Sequence, residues 1–279
     1  MNLLWLGDPK SFDVAVVGGK AANLSRLARM YHRVPDGFSI PVNLMNEAHP
    51  LELRSEIEGA ISDLMACHSL PELVAAVRSS AVDEDGAITS FAGQHETFLN
   101  IVGADLIVEA VTRCWESARS ERALEYRRKQ GLSVERLQLA VFVQQLVAAD
   151  VSAVVFSANP VTGGLDEIMI NASWGLGESI VGGTVTPDTF IVRKSDLAIT
   201  DRIIADKGRM TVSVPGGTSE VNVPRFLRDQ ASLNDEQVIE TAQLALTLEA
   251  TMSYPVDIEC AYAGGKLYLL QCRPITTLK

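Results

Sequence analysis

Two periodicities run along the chain and together predict an α/β fold. Apolar residues at helical spacing predict helices within residues 21–30, 50–76, 104–130 and 234–253. Apolar runs and strict alternation predict strands at 14–17, 38–40, 76–80, 137–147, 151–156, 167–171, 189–192, 199–204 and 211–214, with two more inside 254–274. We find no internal repeat and no long linker, and 279 residues suffice for one large domain or two lobes with their own cores.

The alternation is clearest in residues 254–274, which predict two strands around a Gly264-Gly265 turn. Each strand carries two polar residues at a spacing of two, so each pair shares one face; we call these four the hairpin quartet: Asp257, Glu259, Gln271 and Arg273. A two-residue loop would pair Glu259 with Leu270 and turn Gln271 to the opposite face. A three-residue loop with a bulge would bring the whole quartet to one face. We predict the odd-length loop, because four polar groups in an apolar hairpin need a common purpose.

The chemistry of the hairpin quartet suits a metal ion next to a phosphate chain. Carboxylate oxygens are the ligands that divalent magnesium and calcium prefer, and the forked guanidinium of Arg273 can bind phosphate through two parallel hydrogen bonds. The alternative is a plain surface ion pair across a hairpin, which these residues alone do not exclude.

Two further stretches carry groups that bind phosphate. Gly18-Gly19-Lys20 precedes a helix and can present backbone N–H groups and an ammonium, but it is not a P-loop, because Val14 stands where that motif needs glycine. Its alternative is an ordinary turn. Arg78-Ser79-Ser80 ends a strand, and the small-residue loop 90–97 that follows can close on phosphates through N–H groups and hydroxyls; its alternative is a polar hairpin. We expect His95 in that loop to be a solvated side chain.

The composition limits the kinds of binding partner and the cellular location that we expect. The formal net charge is −11, with no basic run to offset it, so we expect no nucleic-acid partner. We see no signal peptide and no long apolar run, which favours a cytoplasmic protein with no membrane association. The four cysteines show no metal-binding spacing, and we expect free buried thiols at Cys67, Cys114, Cys260 and Cys272.

Seven short motifs follow one another in an order that resembles the N-terminal ATP-binding domain of the phosphoenolpyruvate synthase and pyruvate phosphate dikinase family. They are Gly18-Gly-Lys-Ala-Ala-Asn23, Val34-Pro-Asp-Gly-Phe38, Val77-Arg-Ser-Ser80, Ser90-Phe-Ala-Gly-Gln-His-Glu-Thr97, Gly175-Leu-Gly-Glu178, Asp257-Ile-Glu259 and Leu270-Gln-Cys-Arg-Pro274. The likeness is greatest to rifampicin phosphotransferases, through Cys114-Trp115, Asn159-Pro-Val-Thr-Gly163, Ala172-Ser-Trp-Gly175 and Thr186-Pro-Asp188. The resemblance covers essentially the whole chain, and it is the ordered set of motifs that makes it specific.

The resemblance implies an ATP-grasp fold, in which two lobes with mixed or antiparallel sheets enclose a cleft for ATP and magnesium. It places the first lobe in residues 1–103, with a helical part shortened to 41–76. The second lobe would occupy 104–279 and end in the hairpin 254–274.

Carried over residue by residue, the resemblance also implies a site. Catalytic roles fall on Lys20, Arg78 and Arg273. Nucleotide-binding roles fall on Lys20, Arg78, Gly93, Thr97, Gln144, Val147, Glu259, Gln271 and Arg273, with Gln144 and the backbone of 145–147 bordering the adenine. Asp257 and Glu259 would hold Mg²⁺.

The family's members continue into a swivelling domain whose histidine takes the phosphoryl group, and we find no such motif around His32, His49, His68 or His95. The resemblance therefore implies an ATP- and magnesium-dependent phosphotransferase component. It would cleave ATP, to AMP and phosphate by the family's chemistry, and donate a phosphoryl group to a histidine on a separate chain or domain. Two alternatives stay open: a stand-alone kinase or ligase acting directly on a small molecule, and a truncated or regulatory ATP-binding module without turnover. The sequence leaves the final acceptor and the oligomeric state undetermined.

Overall fold

A computed structural model describes residues 2–47, 49–82, 97–129, 131–134, 137–276 and 278. The chain divides into two compact units. The first comprises Met1–Leu146 with Pro215–Gly217, and the second comprises Val147–Val214 with Thr218–Lys279. Each unit is built on one antiparallel sheet covered by helices, which confirms the predicted α/β class.

The first unit contains a five-stranded sheet in the order β1-β2-β5-β3-β4. Its strands are β1 (Leu4–Trp5), β2 (Gly37–Ile40), β3 (Val74–Ala81), β4 (Thr97–Val102) and β5 (Leu139–Gln145). Its helices are α1 (Val14–Arg29), α2 (Leu44–Glu47), α3 (Pro50–His68), α4 (Ala104–Ser117) and α5 (Glu121–Lys129). One cluster of buried side chains from β2, α2, α3, β3, α4 and β5 forms its core.

The start of α1 corrects a prediction. Val14-Ala-Val-Val17 was expected to be a strand from its β-branched residues, but it forms the first turns of α1. The side chain of Asp13 accepts a hydrogen bond from the Ala15 N–H at 2.9 Å and so caps the helix at this point. Gly18, at φ +75° and ψ 170°, then breaks the helical geometry, so a kink separates the valines from the rest of α1. A local cap outweighs intrinsic strand propensity here.

The second unit contains a six-stranded antiparallel sheet in the order β13-β12-β6-β7-β8-β9. Its strands are β6 (Val151–Phe156), β7 (Glu167–Trp174), β8 (Asp188–Arg193), β9 (Ile199–Ile203), β12 (Val256–Ala263) and β13 (Lys266–Pro274). A two-stranded ribbon is formed by β10 (Arg209–Val214) and β11 (Gly217–Asn222), and the helices are α6 (Glu178–Val181) and α7 (Asp235–Met252).

Helix α7 covers one face of the six-stranded sheet. Asn234 and Gln237 form a reciprocal capping box at its start, which fixes where the helix begins. The Tyr262 hydroxyl reaches this helix, where it bonds to the backbone oxygen of Gln237 at 2.9 Å. The even-numbered residues of β12 therefore face α7, and the odd-numbered residues lie on the other side, which we call the distal face.

The division between the units differs from the predicted boundary. The sequence placed it between residues 103 and 104, whereas the compact units divide after Leu146. The reason is that β5, more than thirty residues beyond the predicted boundary, pairs with both β2 and β3 in the centre of the first sheet. Within the part of the chain that the structure describes, no helix combines the length and the apolar character needed to cross a membrane.

Candidate functional site

The turn between β12 and β13 is a two-residue loop. Ala263 pairs directly with Lys266, and Gly264 and Gly265 both have positive φ, at +55° and +74°. Two left-handed residues in succession define the tight turn that matches strand twist, and only glycine adopts them cheaply. The Gly264 N–H donates to Asp150 at 2.9 Å and so anchors the turn. The predicted odd-length loop is therefore wrong.

A β-bulge nevertheless produces the predicted pairing. Cys260 lies opposite Leu269, but Glu259, the residue before it on β12, lies opposite Gln271. Leu270 is thus the extra residue on β13, and beyond it the register moves by one position. Because side chains alternate with period two, this shift turns Gln271 to the face that carries Glu259. The pairing of Glu259 with Gln271 and of Asp257 with Arg273 is confirmed.

The hairpin quartet lies on the distal face of the sheet. Asp257 and Glu259 are odd-numbered residues of β12, and the residues opposite them on β13 are Arg273 and Gln271. Cys272, which lies opposite Ile258, is buried on the α7 side. The hairpin therefore sorts polar groups to one side and apolar groups to the other, even though the bulge interrupts its regular alternation.

Asp257 carries the strongest electrostatic signal of the quartet. The Nε of Arg273 donates to its Oδ2 at 2.9 Å, and an Nη atom of Arg273 forms an ion pair with the same oxygen at 2.8 Å. Its other oxygen, Oδ1, is buried and accepts no hydrogen bond from the residues that the structure describes. Burial raises the pKa of Asp257 above its ordinary value, the charge of Glu259 adds to this, and the lowering by Arg273 does not offset it. A buried carboxylate oxygen with no donor is costly, which suits it to a bound cation.

Glu259 and Gln271 complete the group. Gln271 is buried, and Glu259 is partly exposed. The negative charge of Glu259 also contributes to the raised pKa of the Cys260 thiol, about 12, although burial is the main cause. Among the described residues, no cluster of three or more acidic, histidine or cysteine side chains is arranged to hold a metal ion. The hairpin therefore offers two carboxylates as metal ligands, and water and a bound molecule can supply others.

In the first unit, the kink of α1 packs against the end of β3. A Cβ atom added to Gly18 would meet the backbone oxygen of Ser80 at 2.0 Å, so no side chain fits there. The Ser80 hydroxyl accepts a hydrogen bond from the Ala21 N–H at 3.2 Å, and the Lys20 ammonium donates to the Ser79 oxygen at 3.3 Å. The structure thus brings Lys20 to the strand that carries Arg78, as phosphate binding by both would require. Ser80 is a positioning group that the sequence motif contained but did not single out.

Thr97 is the first residue of β4 and lies directly opposite Arg78 on β3. Thr97 is exposed, and Arg78 is partly exposed. Gly93, His95 and the rest of the loop before Thr97 lie outside the described residues. Of the predicted site in this loop, only the position of Thr97 can be given.

Gln144 and Val147 occupy the end of β5 and the residues beyond it. The Gln144 side chain is buried and donates to the Pro35 oxygen at 3.0 Å, within the Val34-Pro-Asp-Gly-Phe38 turn. The Gln145 N–H donates to the Asp36 oxygen at 2.8 Å, so the same turn holds the strand end twice. Val147 is buried and begins the second unit. The role of Gln144 and Val147 beside an adenine stays a prediction.

The second unit contains a buried ion pair, one partner of which lies in a motif identified from the sequence only by its resemblance to the family. The side chains of Asp188 and Lys207 are both fully buried, and the Nζ atom of Lys207 lies 2.6 Å from Oδ1 of Asp188. Asp188 belongs to the Thr186-Pro-Asp188 stretch. The other Asp188 oxygen accepts from both the backbone N–H and the hydroxyl of Ser232, each at 2.7 Å. The pair ties the start of β8 to the segments before β10 and α7. A buried charge requires such partners, but the distant lysine could not be identified from spacing.

Comparison with known proteins agrees with the predicted resemblance. Residues 42–279 match the family described as pyruvate phosphate dikinase, AMP/ATP-binding domain. A probable phosphoenolpyruvate synthase of Pyrococcus abyssi is 45% identical over 239 residues, covering 82% of this chain and 29% of that protein. The rifampicin phosphotransferase of Streptomyces sviceus is 35% identical over 303 residues, covering 95% of this chain and 35% of that protein.

Among solved structures, D-alanyl-alanine synthetase A of Vibrio cholerae has a TM-score of 0.36 and 12% identity, covering 94% of this chain and 61% of that one. A score this low supports no conclusion about the fold. The sequence identity is higher to the Pyrococcus synthase than to the rifampicin phosphotransferase. It therefore does not favour the rifampicin phosphotransferases over the phosphoenolpyruvate synthases, although four stretches of the sequence suggested a greater likeness to the former.

The chain spans about a third of the length of the two curated relatives described above. The family match itself covers most of the chain and includes the hairpin quartet together with Arg78, Gln144 and Val147. The chain therefore belongs to the pyruvate phosphate dikinase AMP/ATP-binding domain family.

Proposed function

We propose that this chain binds ATP with magnesium and cleaves it as the nucleotide-activating part of a phosphotransferase. The observation that carries the proposal is the hairpin quartet. A bulge turns Gln271 and Arg273 to the sheet face that carries the two carboxylates, and one buried carboxylate oxygen there accepts no hydrogen bond from any residue that the structure describes. An apolar hairpin gains nothing in stability from such a group, so its presence supports a ligand that supplies positive charge and phosphate.

Asp257 and Glu259 would hold the magnesium ion. The fit rests on the donor set: carboxylate oxygens are its preferred protein ligands, and one oxygen of Asp257 has no hydrogen-bond donor among the described residues. When bound, the ion would neutralise charge on the phosphate oxygens. Arg273 holds the other oxygen of Asp257 and would itself contact phosphate, with Gln271 next to it.

Lys20 and Arg78, both in the first unit, would also bind phosphates. Lys20 follows a kink that Ser80 fixes, and Arg78 lies on the strand against which this kink packs. Cations held in advance on rigid elements stabilise the charge that moves between oxygens during phosphoryl transfer, and cost no reorganisation at that moment. Thr97, Gly93, Gln144 and Val147 keep the binding roles that the family resemblance implies.

The acceptor of the phosphoryl group is the finer part of the proposal. One named relative is a phosphoenolpyruvate synthase and another is a rifampicin phosphotransferase, and both are about three times longer than the region matched here. We propose that the chain passes a phosphoryl group to a histidine on a separate chain or domain. Direct transfer to a small molecule is the competing outcome.

The test is consumption of ATP by the purified chain, with products separated as AMP or ADP. It is run with magnesium or with EDTA, and with or without cell extract that could supply an acceptor. We expect magnesium-dependent loss of ATP that extract stimulates, with formation of AMP.

Two variants probe the site assignment in the same assay. Arg273→Ala should weaken ATP binding, and Glu259→Ala should abolish magnesium-dependent turnover. Lys266→Ala, at an exposed position of the same hairpin, is the matched control and should behave as the unmodified chain. Equal turnover in all four proteins would overturn the site. Turnover with one small acceptor and no extract would favour the stand-alone kinase.

A further inference from the structure

The register of the second sheet places a further polar residue in line with Glu259. Glu259 on β12 lies opposite Val154 on β6, which lies opposite Asn171 on β7. Asn171 in turn lies opposite Thr189 on β8. Residues directly opposite one another project to the same side of a sheet, so this row lies entirely on the distal face.

Distance along the row allows one ligand to reach both polar ends. Neighbouring strands are about 4.8 Å apart, so the Cα atoms of Glu259 and Asn171, two strands apart, are separated by about 10 Å. Both side chains rise from the same face, and the partly exposed Val154 lies between them. A metal ion coordinated by Glu259, with the phosphate chain bound to that ion, fits a span of this length.

Hydrogen bonding fixes the orientation of the Asn171 amide. The Thr189 hydroxyl donates to its Oδ1 at 2.9 Å. That bond assigns the oxygen to the Thr189 side and leaves two N–H donors on the amide nitrogen. The structure gives Asn171 no other side-chain hydrogen bond with any residue in its described ranges, and the side chain is partly exposed.

The neighbouring row on the same face has a different character. Next to Arg273 and Asp257 it continues through three partly exposed apolar residues: Phe156, Met169 and Ile191. That row offers no hydrogen-bond donor beyond Arg273. Donors for a charged group therefore lie in the row of Glu259, where Asn171 and Gln271 stand on either side of the carboxylate.

We propose that Asn171 is a further binding residue of the site, whose amide donates a hydrogen bond to an oxygen of the nucleotide's phosphate chain. Thr189 is the positioning residue that holds this amide in the donating orientation. The inference rests on the proposed function, because it requires magnesium-bound phosphate at Glu259. It predicts that the effect of Asn171 follows the phosphates of the ligand and not its base or sugar.

The test measures binding of ATP with magnesium by isothermal titration calorimetry, and binding of adenosine by competition. Asn171→Asp keeps the shape of the side chain but replaces two donors by a negative charge. We expect it to weaken ATP binding at least tenfold and to leave adenosine binding unchanged. Thr189→Val keeps the volume but removes the orienting hydroxyl, and should weaken ATP binding about threefold. Met169→Leu, on the same strand and face, is the control and should have no effect.

Combining the two substitutions gives a second readout. If Thr189 acts only through Asn171, then Asn171→Asp with Thr189→Val should bind ATP no more weakly than Asn171→Asp alone. Thermal melting of each variant without ligand shows whether it has folded. Should Asn171→Asp misfold, Asn171→Ser, which is smaller and neutral, should still show the loss for ATP and not for adenosine.

Three results would overturn the inference. Unchanged ATP binding by folded Asn171→Asp would exclude contact with phosphate. An equal loss for ATP and adenosine would show a merely structural role or a contact with the nucleoside. If the unmodified chain shows no magnesium-dependent ATP binding, the proposed function is refuted and the inference with it. If the unmodified chain does bind, the variants test the role of Asn171 separately from the proposed function.

Discussion

At the scale of single residues, Asp257 combines a buried carboxylate with an oxygen that accepts no hydrogen bond within the described part of the chain. Its raised pKa means that the folded chain holds the proton more tightly than the unfolded chain does. The ionised form needed for metal binding therefore lowers the stability of the ligand-free chain. This is the trade-off expected where a site is kept for function.

Asp257→Asn tests that trade-off. The amide keeps an oxygen for Arg273 and removes the buried charge, so we expect the ligand-free chain to gain up to about 2 kcal/mol of unfolding free energy at neutral pH. It should also lose magnesium-dependent ATP binding. Urea unfolding and calorimetry measure the two effects, and a variant that is less stable yet still binds would contradict this account.

The same substitution has a pH signature. With its raised pKa, Asp257 contributes stability that is present below its unfolded pKa and is lost as the pH rises through its folded pKa. The stability advantage of Asp257→Asn should therefore be small at low pH, grow through this window and then level off. Exposed carboxylates with lowered pKa, such as Asp105 and Asp196, act in the opposite direction but are common to both proteins, so they cancel in the difference.

Gly18 and Gly7 separate backbone strain from steric conflict. Both have positive φ, but an added Cβ meets nothing at Gly7 and meets the Ser80 oxygen at 2.0 Å at Gly18. Gly7→Ala should cost about 1 kcal/mol, the penalty of the backbone conformation alone. Gly18→Ala should cost a further 1–3 kcal/mol, roughly, because the kink must move away from β3. Denaturant unfolding checks this, and equal losses would argue against close packing at Ser80.

At the scale of secondary-structure elements, the hairpin shows what sequence could and could not predict. The spacing of polar residues placed each pair of the quartet on one face, and the prediction that the two pairs share a face, which was made from their common chemistry, is confirmed. The predicted loop length was wrong, because the extra residue that sets the register is Leu270 in strand β13 and not a residue of the turn. Nothing in Leu270 itself marks a bulge, because its side chain is as suitable for a regular strand as for an irregular one.

Deleting Leu270 is the direct test of the bulge. With a two-residue turn and no extra residue, Gln271 and Arg273 would move to the α7 side of the sheet. We expect loss of magnesium-dependent ATP binding together with lower stability, because the Arg273 charge would enter an apolar core. Leu270→Ala, which keeps the residue count, is the control and should still bind. Binding by the deletion variant would show that the bulge is not what orients the quartet.

The element α1 shows the opposite case, in which a local pattern misled. Three valines among residues 14–17 favour a strand, yet the cap from Asp13 and the packing of the kink on β3 make this segment helical. The residue of β3 that packs against the kink, Ser80, lies some sixty residues further along the chain and could not be inferred from spacing.

The Asp188–Lys207 pair lets the cost of a buried charge be measured. Lys207→Met leaves Asp188 fully buried without its cation and should cost about 3–5 kcal/mol. The control is the exposed pair Arg193–Asp196, where Arg193→Ala should cost under about 1 kcal/mol. Unfolding in urea gives both values. A small loss at Lys207 would mean that the Ser232 and Ala205 hydrogen bonds satisfy Asp188 without it.

At the scale of the whole molecule, the order of motifs predicted the family, and the match over residues 42–279 bears this out. The predicted boundary lies earlier in the chain than the division between the compact units, because β5 pairs in the centre of the first sheet although it is distant in sequence from the other strands. The roles of individual residues in binding ATP remain predictions, and they concern both units: Lys20 and Arg78 in the first, the hairpin quartet in the second.

The most direct test of the central claim is titration of ATP into the purified chain by calorimetry, in magnesium and in EDTA, for the unmodified protein and for Glu259→Gln. This substitution keeps the size of the side chain and removes its charge. We expect the unmodified chain to bind ATP much more tightly in magnesium than in EDTA, and Glu259→Gln to lose that difference while staying folded. An unmodified chain that binds ATP equally well in both, or a Glu259→Gln variant that keeps the full magnesium effect, would contradict the proposal that this hairpin holds the metal ion and its nucleotide.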